Sequence, residues 1–232
     1  MNINEILDQF LFFGVALSIL AYGVGLLLKR KFKLAFLNPL LIAVICVIAV
    51  LFIGKIDYDT YNAGAKYISY FLTPATVCLA VPLYEQLALL KKHAKAVVCG
   101  LVSGVLASLT GILILAKIFG LDHSMYVTML PKSITTAIGM GVSEELGGVT
   151  TITVAAIVIT GILGNVIAEL VFRVFRIRHP VARGLALGNA SHAIGIAKAM
   201  ELGEVEGAMS SLAVAVAGLL TVVLAGIYAH LM

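Results

Sequence analysis

The chain has 232 residues, 61% of them hydrophobic and 12% charged, with a formal net charge of +4. A soluble domain carries roughly 45–50% apolar and 25% charged residues, and one of this length could not bury so large an apolar excess. The surplus has to face lipid, and the positive charge sits in short clusters beside apolar runs, where it sets membrane orientation and gives no reason to expect nucleic acid as a partner.

Residues 1–9 contain Glu5 and Asp8 where a secretory leader would be basic, and no small-residue cleavage pattern follows, so residues 10–28 are expected as a retained first span. Lys29, Arg30, Lys31 and Lys33 close it. A second span is expected at 35–54, with Asn38-Pro39 near its start, then a polar stretch at 55–66 holding Asp57, Asp59 and Asn62. A third apolar stretch, 67–90, is interrupted by Pro74 and Pro82 and ends at Lys91, Lys92, His93 and Lys95. The fourth span, 96–116, carries Gly100-x-x-x-Gly104 and Ala107-x-x-x-Gly111, spacings that let another backbone approach closely.

The pattern then changes. Residues 127–142 are only moderately apolar and hold Pro131, Lys132, Ser133, Thr135, Thr136, Gly139 and Gly141, before Glu144-Glu145-Leu146-Gly147-Gly148. A full span at 149–172 contains Asn165 and Glu169, and Arg173, Arg176, Arg178 and Arg183 follow it. Residues 184–200 repeat the broken character through Gly184, Gly188-Asn189-Ala190-Ser191-His192 and Gly195, and 208–232 form a last long span.

Three basic clusters, at 29–33, 91–95 and 173–183, hold eleven of the sixteen Lys and Arg residues and are expected on the cytoplasmic side, which puts the N-terminus outside. Two spans separate the first pair of clusters, as that requires. Three apolar segments separate the second pair, so one of them does not cross. The shortest and richest in Gly, Pro and hydroxyls is 127–142, which is therefore expected as a re-entrant or broken helix entered from outside. Residues 184–200 would be its counterpart from the cytoplasmic side. The alternative is two ordinary spans that tolerate their Gly and Pro. The fold class is thus an all-α integral membrane protein, with about six full spans, two discontinuous segments and a possible inverted repeat. A faint echo between Pro74-Ala-Thr76-Val77, leading to Glu85, and Pro131-Lys-Ser133-Ile134, leading to Glu144, fits duplication.

Chemistry concentrates in the two broken segments. Leu130-Pro131-Lys132-Ser133-Ile134-Thr135-Thr136 reads as a helix start, with Pro131 at the first helical position. Free N–H groups, hydroxyls and the Lys132 ammonium would together seat a carboxylate, unless Lys132 snorkels away and the hydroxyls bond back to their own helix. In the second segment Gly188 would end one half-helix and Asn189 or Ser191 cap the next. His192 would either carry a coupling proton or be hydrogen-bonded in place. Glu169 shares a helix face with Asn165 and is expected to face the bundle interior as a second proton candidate, or to pair with Arg173 four residues on. Cys46, Cys78 and Cys99 lie inside apolar segments and make no disulfide framework. No metal-ligand spacing, phosphate loop or nucleophile–base pairing is present in the sequence, so neither cofactor nor enzyme chemistry is expected.

At these residues the sequence resembles the LrgB/CidB family. Leu130-Pro-Lys-Ser-Ile-Thr-Thr-Ala-Ile-Gly-Met is similar to the family's LPKSVTTPIAM stretch, and residues 182–195 to its ARGLAxGTASHxxGT stretch. Asn38-Pro-Leu-Leu, Pro82-Leu-Tyr-Glu-Gln and Glu206-Gly-Ala-Met-Ser-Ser-Leu-Ala also look like the family, so the resemblance runs from about 38 to 213. Ala137 stands where the family has proline, and Asn189 and Ile196 where it has threonine. The resemblance implies one LrgB-like transmembrane domain over 1–232 in a bacterial plasma membrane. Two functions are implied. One is antiholin-like control of murein hydrolase export and lysis, with a small LrgA/CidA-type membrane partner. The other is transport of small monocarboxylates of the pyruvate, glycolate, glycerate or lactate class, proton-coupled. The polar breaks favour the carrier, with Pro131, Lys132, Ser133, Thr135 and Thr136 at the carboxylate and Asn189, Ser191 and His192 at the other end of a small organic anion. Gly-rich faces fit a homo-oligomer.

Overall fold

The computed structural model describes residue 10 and residues 12–32, 39–71, 74, 77–78, 84, 87–92 and 94–232. All regular structure among them is helical, in ten helices: α1 Phe13–Phe32, α2 Pro39–Gly54, α3 Tyr58–Ser69, α4 Leu87–Lys92, α5 Ala94–Phe119, α6 His123–Met129, α7 Thr136–Glu145, α8 Thr150–Val174, α9 Pro180–Leu202 and α10 Glu204–Ala229. Four of these, α1, α5, α8 and α10, are long and apolar enough to cross a membrane, and α2 is a shorter apolar helix. The 26 residues of α5 and of α10 rise about 39 Å, more than the hydrocarbon thickness of about 30 Å. Eleven of the 24 residues of the expected span at 67–90 lie outside the described residues, among them Pro82, Glu85 and the Ala75-Thr76 part of the internal echo, as do Asn38 and His93.

The chain divides into two compact units, Met1–Cys78 and Leu79–Met232. In the first, the polar stretch after α2 is itself the helix α3. Tyr61 and Ala65, one helical turn apart, both lie against Gly14 of α1, where any side chain would collide with them. Tyr61 OH meets Ser18 Oγ at 2.8 Å across the same contact.

The second unit holds both irregular segments. Two of its helices stop by a shared device. α5 and α7 end one or two residues before a left-handed glycine, Gly120 (φ 62°) and Gly147 (φ 80°). The next amide then reaches back five residues, Leu121 N to the Ala116 carbonyl and Gly148 N to that of Ser143. α6 starts from Asp122, whose carboxylate accepts from Met125 N at 2.8 Å. α9 starts at Pro180, which suits a first turn because its nitrogen has no hydrogen to leave unpaired.

The break expected at 127–142 is present, but its register differs. Pro131 does not begin a helix. The chain runs as α6 to Met129, passes through turns at 130–135, and resumes at Thr136 with Thr135 as the residue before the first turn. The two arms fold into a hairpin: Ser124 Oγ donates to the Gly147 carbonyl at 3.4 Å, and Val149 N donates to Thr128 Oγ1 at 2.8 Å. Entry and exit are therefore neighbours, as a re-entrant segment requires.

The second break falls at His192 (φ 42°, ψ −135°), not at Gly188. Gly188 lies inside the first arm of α9, so close to the Ser210 carbonyl of α10 that a Cβ would not fit. Beyond His192 the arm doubles back, with Gly195 against the Leu187 carbonyl. Leu202, at the far end, packs with Phe172 and Ile177, beside the Arg183 that starts the first arm. The α9 hairpin thus opens at the arginine-bearing end of the unit and the α6–α7 hairpin at the opposite end, where Tyr126 OH donates to the Tyr228 carbonyl of α10 at 2.8 Å.

Candidate functional site

α8 holds both hairpins. Near its start, Thr153 Oγ1 reaches the Thr128 carbonyl at 2.9 Å and Ser143 Oγ at 2.7 Å, tying together the two arms of the first hairpin. One helical turn on, the side chain of the fully buried Ile157 faces Gly139 of α7, while its carbonyl lies 2.9 Å from His192 Nε2. A carbonyl can only accept, so the ring carries its hydrogen on Nε2. Further along, Asn165 Nδ2 donates to the Ile194 carbonyl at 3.2 Å, and Glu169 Oε1 lies 2.5 Å from Lys198 Nζ.

Three glycines make these close approaches possible. A Cβ at Gly161 would strike the His192 ring, one at Gly164 the Ser191 hydroxyl, and one at Gly104 of α5 the Asn189 amide. The spacing Gly100-x-x-x-Gly104 therefore serves to admit a polar side chain of the α9 hairpin. Gly111, in the companion motif, has nothing near it.

Between α5, α8, the first arm of α9 and the tip of the α6–α7 hairpin lies a cavity of about 890 Å³. Most of its lining is apolar or glycine, and its polar groups are few: Ser108, Lys132, Ser133, Thr160, His179 and Asn189. Ser133 Oγ is 3.2 Å from Ser108 Oγ and accepts from Lys132 Nζ at 3.0 Å. Asn189, also in the lining, donates from Nδ2 to the Leu101 carbonyl at 3.2 Å. Among the described residues Lys132 has no carboxylate partner. A partly buried ammonium among apolar walls, bonded only to a neutral hydroxyl, is costly alone and favours an anion beside it.

Of the residues expected at the site, Lys132, Ser133 and Asn189 meet at this cavity. Pro131 is buried in the break, and Thr135 and Thr136 lie at the start of α7, off the lining. Ser191 and His192 are buried in the hairpin tip behind the wall. Ser191 Oγ is one of two buried side-chain atoms without a hydrogen-bond partner among the described residues. Glu169 does not face the interior of the bundle. It is about half exposed at the arginine-bearing end, where Lys198 meets it. Ser108 and Thr160 were missed from sequence because a lone hydroxyl in an apolar run is indistinguishable there from one bonded to its own helix. A signal for Thr160 was present in the two small residues beside it, Gly161 and Gly164, which mark the face of α8 that another segment approaches.

A sequence model described as the LrgB-like family matches residues 18–231. Proteins named antiholin-like protein LrgB from Bacillus mycoides, Bacillus cereus and Bacillus anthracis are each 43% identical over 213 residues, covering 91% of this chain and 93% of the relative. No solved structure matches.

Proposed function

From the premise that the chain belongs to the LrgB-like family, we propose that it is an antiholin-like membrane protein, restraining murein hydrolase export and lysis at a bacterial plasma membrane. Likeness to the named relatives over nearly the whole chain carries this reading. The arginine-bearing end faces the cytoplasm in this proposal, following the positive-inside bias, and α1 then starts outside. A small LrgA/CidA-type membrane protein and a second copy of the chain are its proposed partners. The test is expression in a host lacking its own copy. Released murein hydrolase activity and autolysis should fall, and unchanged autolysis would count against the reading.

One observation favours a second reading. Lys132 presents an ammonium, without a carboxylate partner among the described residues, to a cavity whose other polar groups are hydroxyls, an amide and the His179 imidazole. That lining suits a small monocarboxylate of the pyruvate, glycolate, glycerate or lactate class, with the carboxylate at Lys132 and Ser133 and the rest of the anion toward Asn189. Proton coupling would then fall to His192, beside the cavity wall, or to Glu169. Reconstitution into proteoliposomes separates the readings. Saturable uptake of labelled pyruvate or glycolate that collapses in Lys132→Ala supports a carrier. Lysis control that survives in Lys132→Ala, with no such uptake by the unaltered chain, leaves the antiholin-like reading alone.

A further inference from the structure

A second cavity, of about 410 Å³, lies where α8 ends and α9 begins, and Arg173, Arg176, Arg178 and Arg183 all line it. Four guanidinium groups around so small a space repel one another unless an anion joins them. The one carboxylate in the lining, Glu169, is engaged by Lys198 at 2.5 Å, and Glu201 approaches the same ammonium at 3.5 Å. Among the described residues Arg173, Arg176 and Arg178 form no ion pair. Arg183 is pre-oriented: its Nε donates to the Ile177 carbonyl at 2.8 Å and its guanidinium lies 5.7 Å over the Phe172 ring.

The backbone carries a matching signal. α8 ends with Arg176 in the left-handed region at φ 53°, where α5 and α7 place glycine, and Ile177 N bonds back to the Phe172 carbonyl. A non-glycine residue is strained there, and such strain points to use of the side chain. Leu170 and Val174 on the last turns of α8, and Phe175 just after it, are 61%, 64% and 72% exposed, apolar side chains that alternate in sequence with the arginines.

We propose that this cavity binds the phosphate of an anionic phospholipid, the guanidinium forks taking the phosphate oxygens and the acyl chains lying along Leu170, Val174 and Phe175. Planar guanidinium groups match phosphate oxygens two at a time, and basic pockets at the ends of membrane helices suit such headgroups. A free phosphate compound would share the headgroup chemistry but make no use of those apolar side chains.

The test uses the full chain, purified in detergent, stripped of lipid and offered phosphatidylglycerol or phosphatidylcholine, with bound lipid counted by native mass spectrometry. Phosphatidylglycerol should be retained in preference. Arg178→Gln and Arg176→Gly should each weaken that retention about fivefold, the effect of one basic residue at a charged surface. Arg176→Gly also relaxes the backbone, so an unchanged or raised melting temperature separates lost lipid from lost fold. The double change Lys91→Gln with Lys92→Gln removes two charges from another basic cluster and should leave retention intact. Equal retention of both lipids would overturn the proposal, as would an equal loss in the lysine variant. Displacement of phosphatidylglycerol by equimolar inorganic pyrophosphate would overturn it too, by assigning the arginines to a free phosphate compound.

Discussion

His192 Nε2 reaches the carbonyl oxygen of Ile157 at 2.9 Å, and it does so through the space left by Gly161, one turn beyond Ile157 on the same face of α8. A helical carbonyl is ordinarily screened by the side chain four residues on. The missing Cβ at Gly161 exposes it, and the ring that enters caps the tip of the α9 hairpin.

This contact sets an unusual order of stabilities. His192 sits at φ 42°, ψ −135°, a conformation that favours glycine. His192→Ala loses the hydrogen bond, about 0.5–1.5 kcal/mol, and keeps the strained backbone. His192→Gly loses the same bond but relieves strain on the order of 1–3 kcal/mol. In an ordinary helix alanine would be the better replacement by roughly 1 kcal/mol. Here His192→Gly should melt at the higher temperature in detergent, and the reverse order would show that the tip is not held in this conformation.

The glycine faces make a second, independent comparison. Gly164→Ala drives a methyl into the Ser191 hydroxyl, and Gly104→Ala one into the Asn189 amide, whose bond to the Leu101 carbonyl must then break. Each should destabilise by about 1–3 kcal/mol, the ordinary cost of overpacking. Gly111→Ala meets nothing within 4 Å and should be neutral or gain up to about 1 kcal/mol from helix propensity. Chemical denaturation of the three variants in one detergent checks the order.

The sequence made much of this architecture legible, and the reasons differ by element. Apolar runs bounded by charge located α1, α5, α8 and α10, because a lipid-facing helix has few other ways to be written. Counting basic clusters singled out 127–142 as the segment that turns back, and the bonds from Ser124 to Gly147 and from Val149 to Thr128 close that hairpin. The register of each break was not legible. Pro131 looked like a helix start because proline is tolerated there, yet the turn that follows runs on to Thr135. Gly188 looked like a stop because glycine often is one. Its role is to let α10 come close, while the reversal falls on a histidine held from α8. For Glu169 the sequence offers two readings, an inward-facing carboxylate because a charge within a span is costly, or a helix-end pair with Arg173. Lys198, from the returning arm of α9, is the partner that lets it stay at the end of the helix, and no local pattern announces a residue twenty-nine positions away.

Glu169→Gln should therefore act as the loss of a partly exposed ion pair, not of a buried proton carrier. Lys198 retains Glu201 at 3.5 Å, so the expected cost is at most about 1 kcal/mol, and less in high salt. If the chain proves to carry monocarboxylates, the pH profile of uptake should keep its midpoint in Glu169→Gln. A displaced midpoint would give the proton to Glu169. An unchanged one, together with a profile flattened in His192→Gln, would give it to the hairpin tip.

Lys132→Met offers the sharpest separation of stability from use. Removing a partly buried ammonium that among the described residues has no carboxylate partner, and replacing it with an apolar chain of similar length, takes away a desolvation penalty. The variant should be as stable as the unaltered chain or more so. If the cavity binds small monocarboxylates, millimolar pyruvate should raise the melting temperature of the unaltered chain, since a ligand held at a hundred times its dissociation constant adds about 2.7 kcal/mol. The same addition should leave Lys132→Met unmoved, because the charge that pairs with the carboxylate is gone. Ser133→Ala, which keeps the ammonium and removes its hydroxyl partner, should fall between the two. A Lys132→Met protein that melts well below the unaltered chain would mean that the ammonium is satisfied in place, and the cavity would then have no standing demand for an anion.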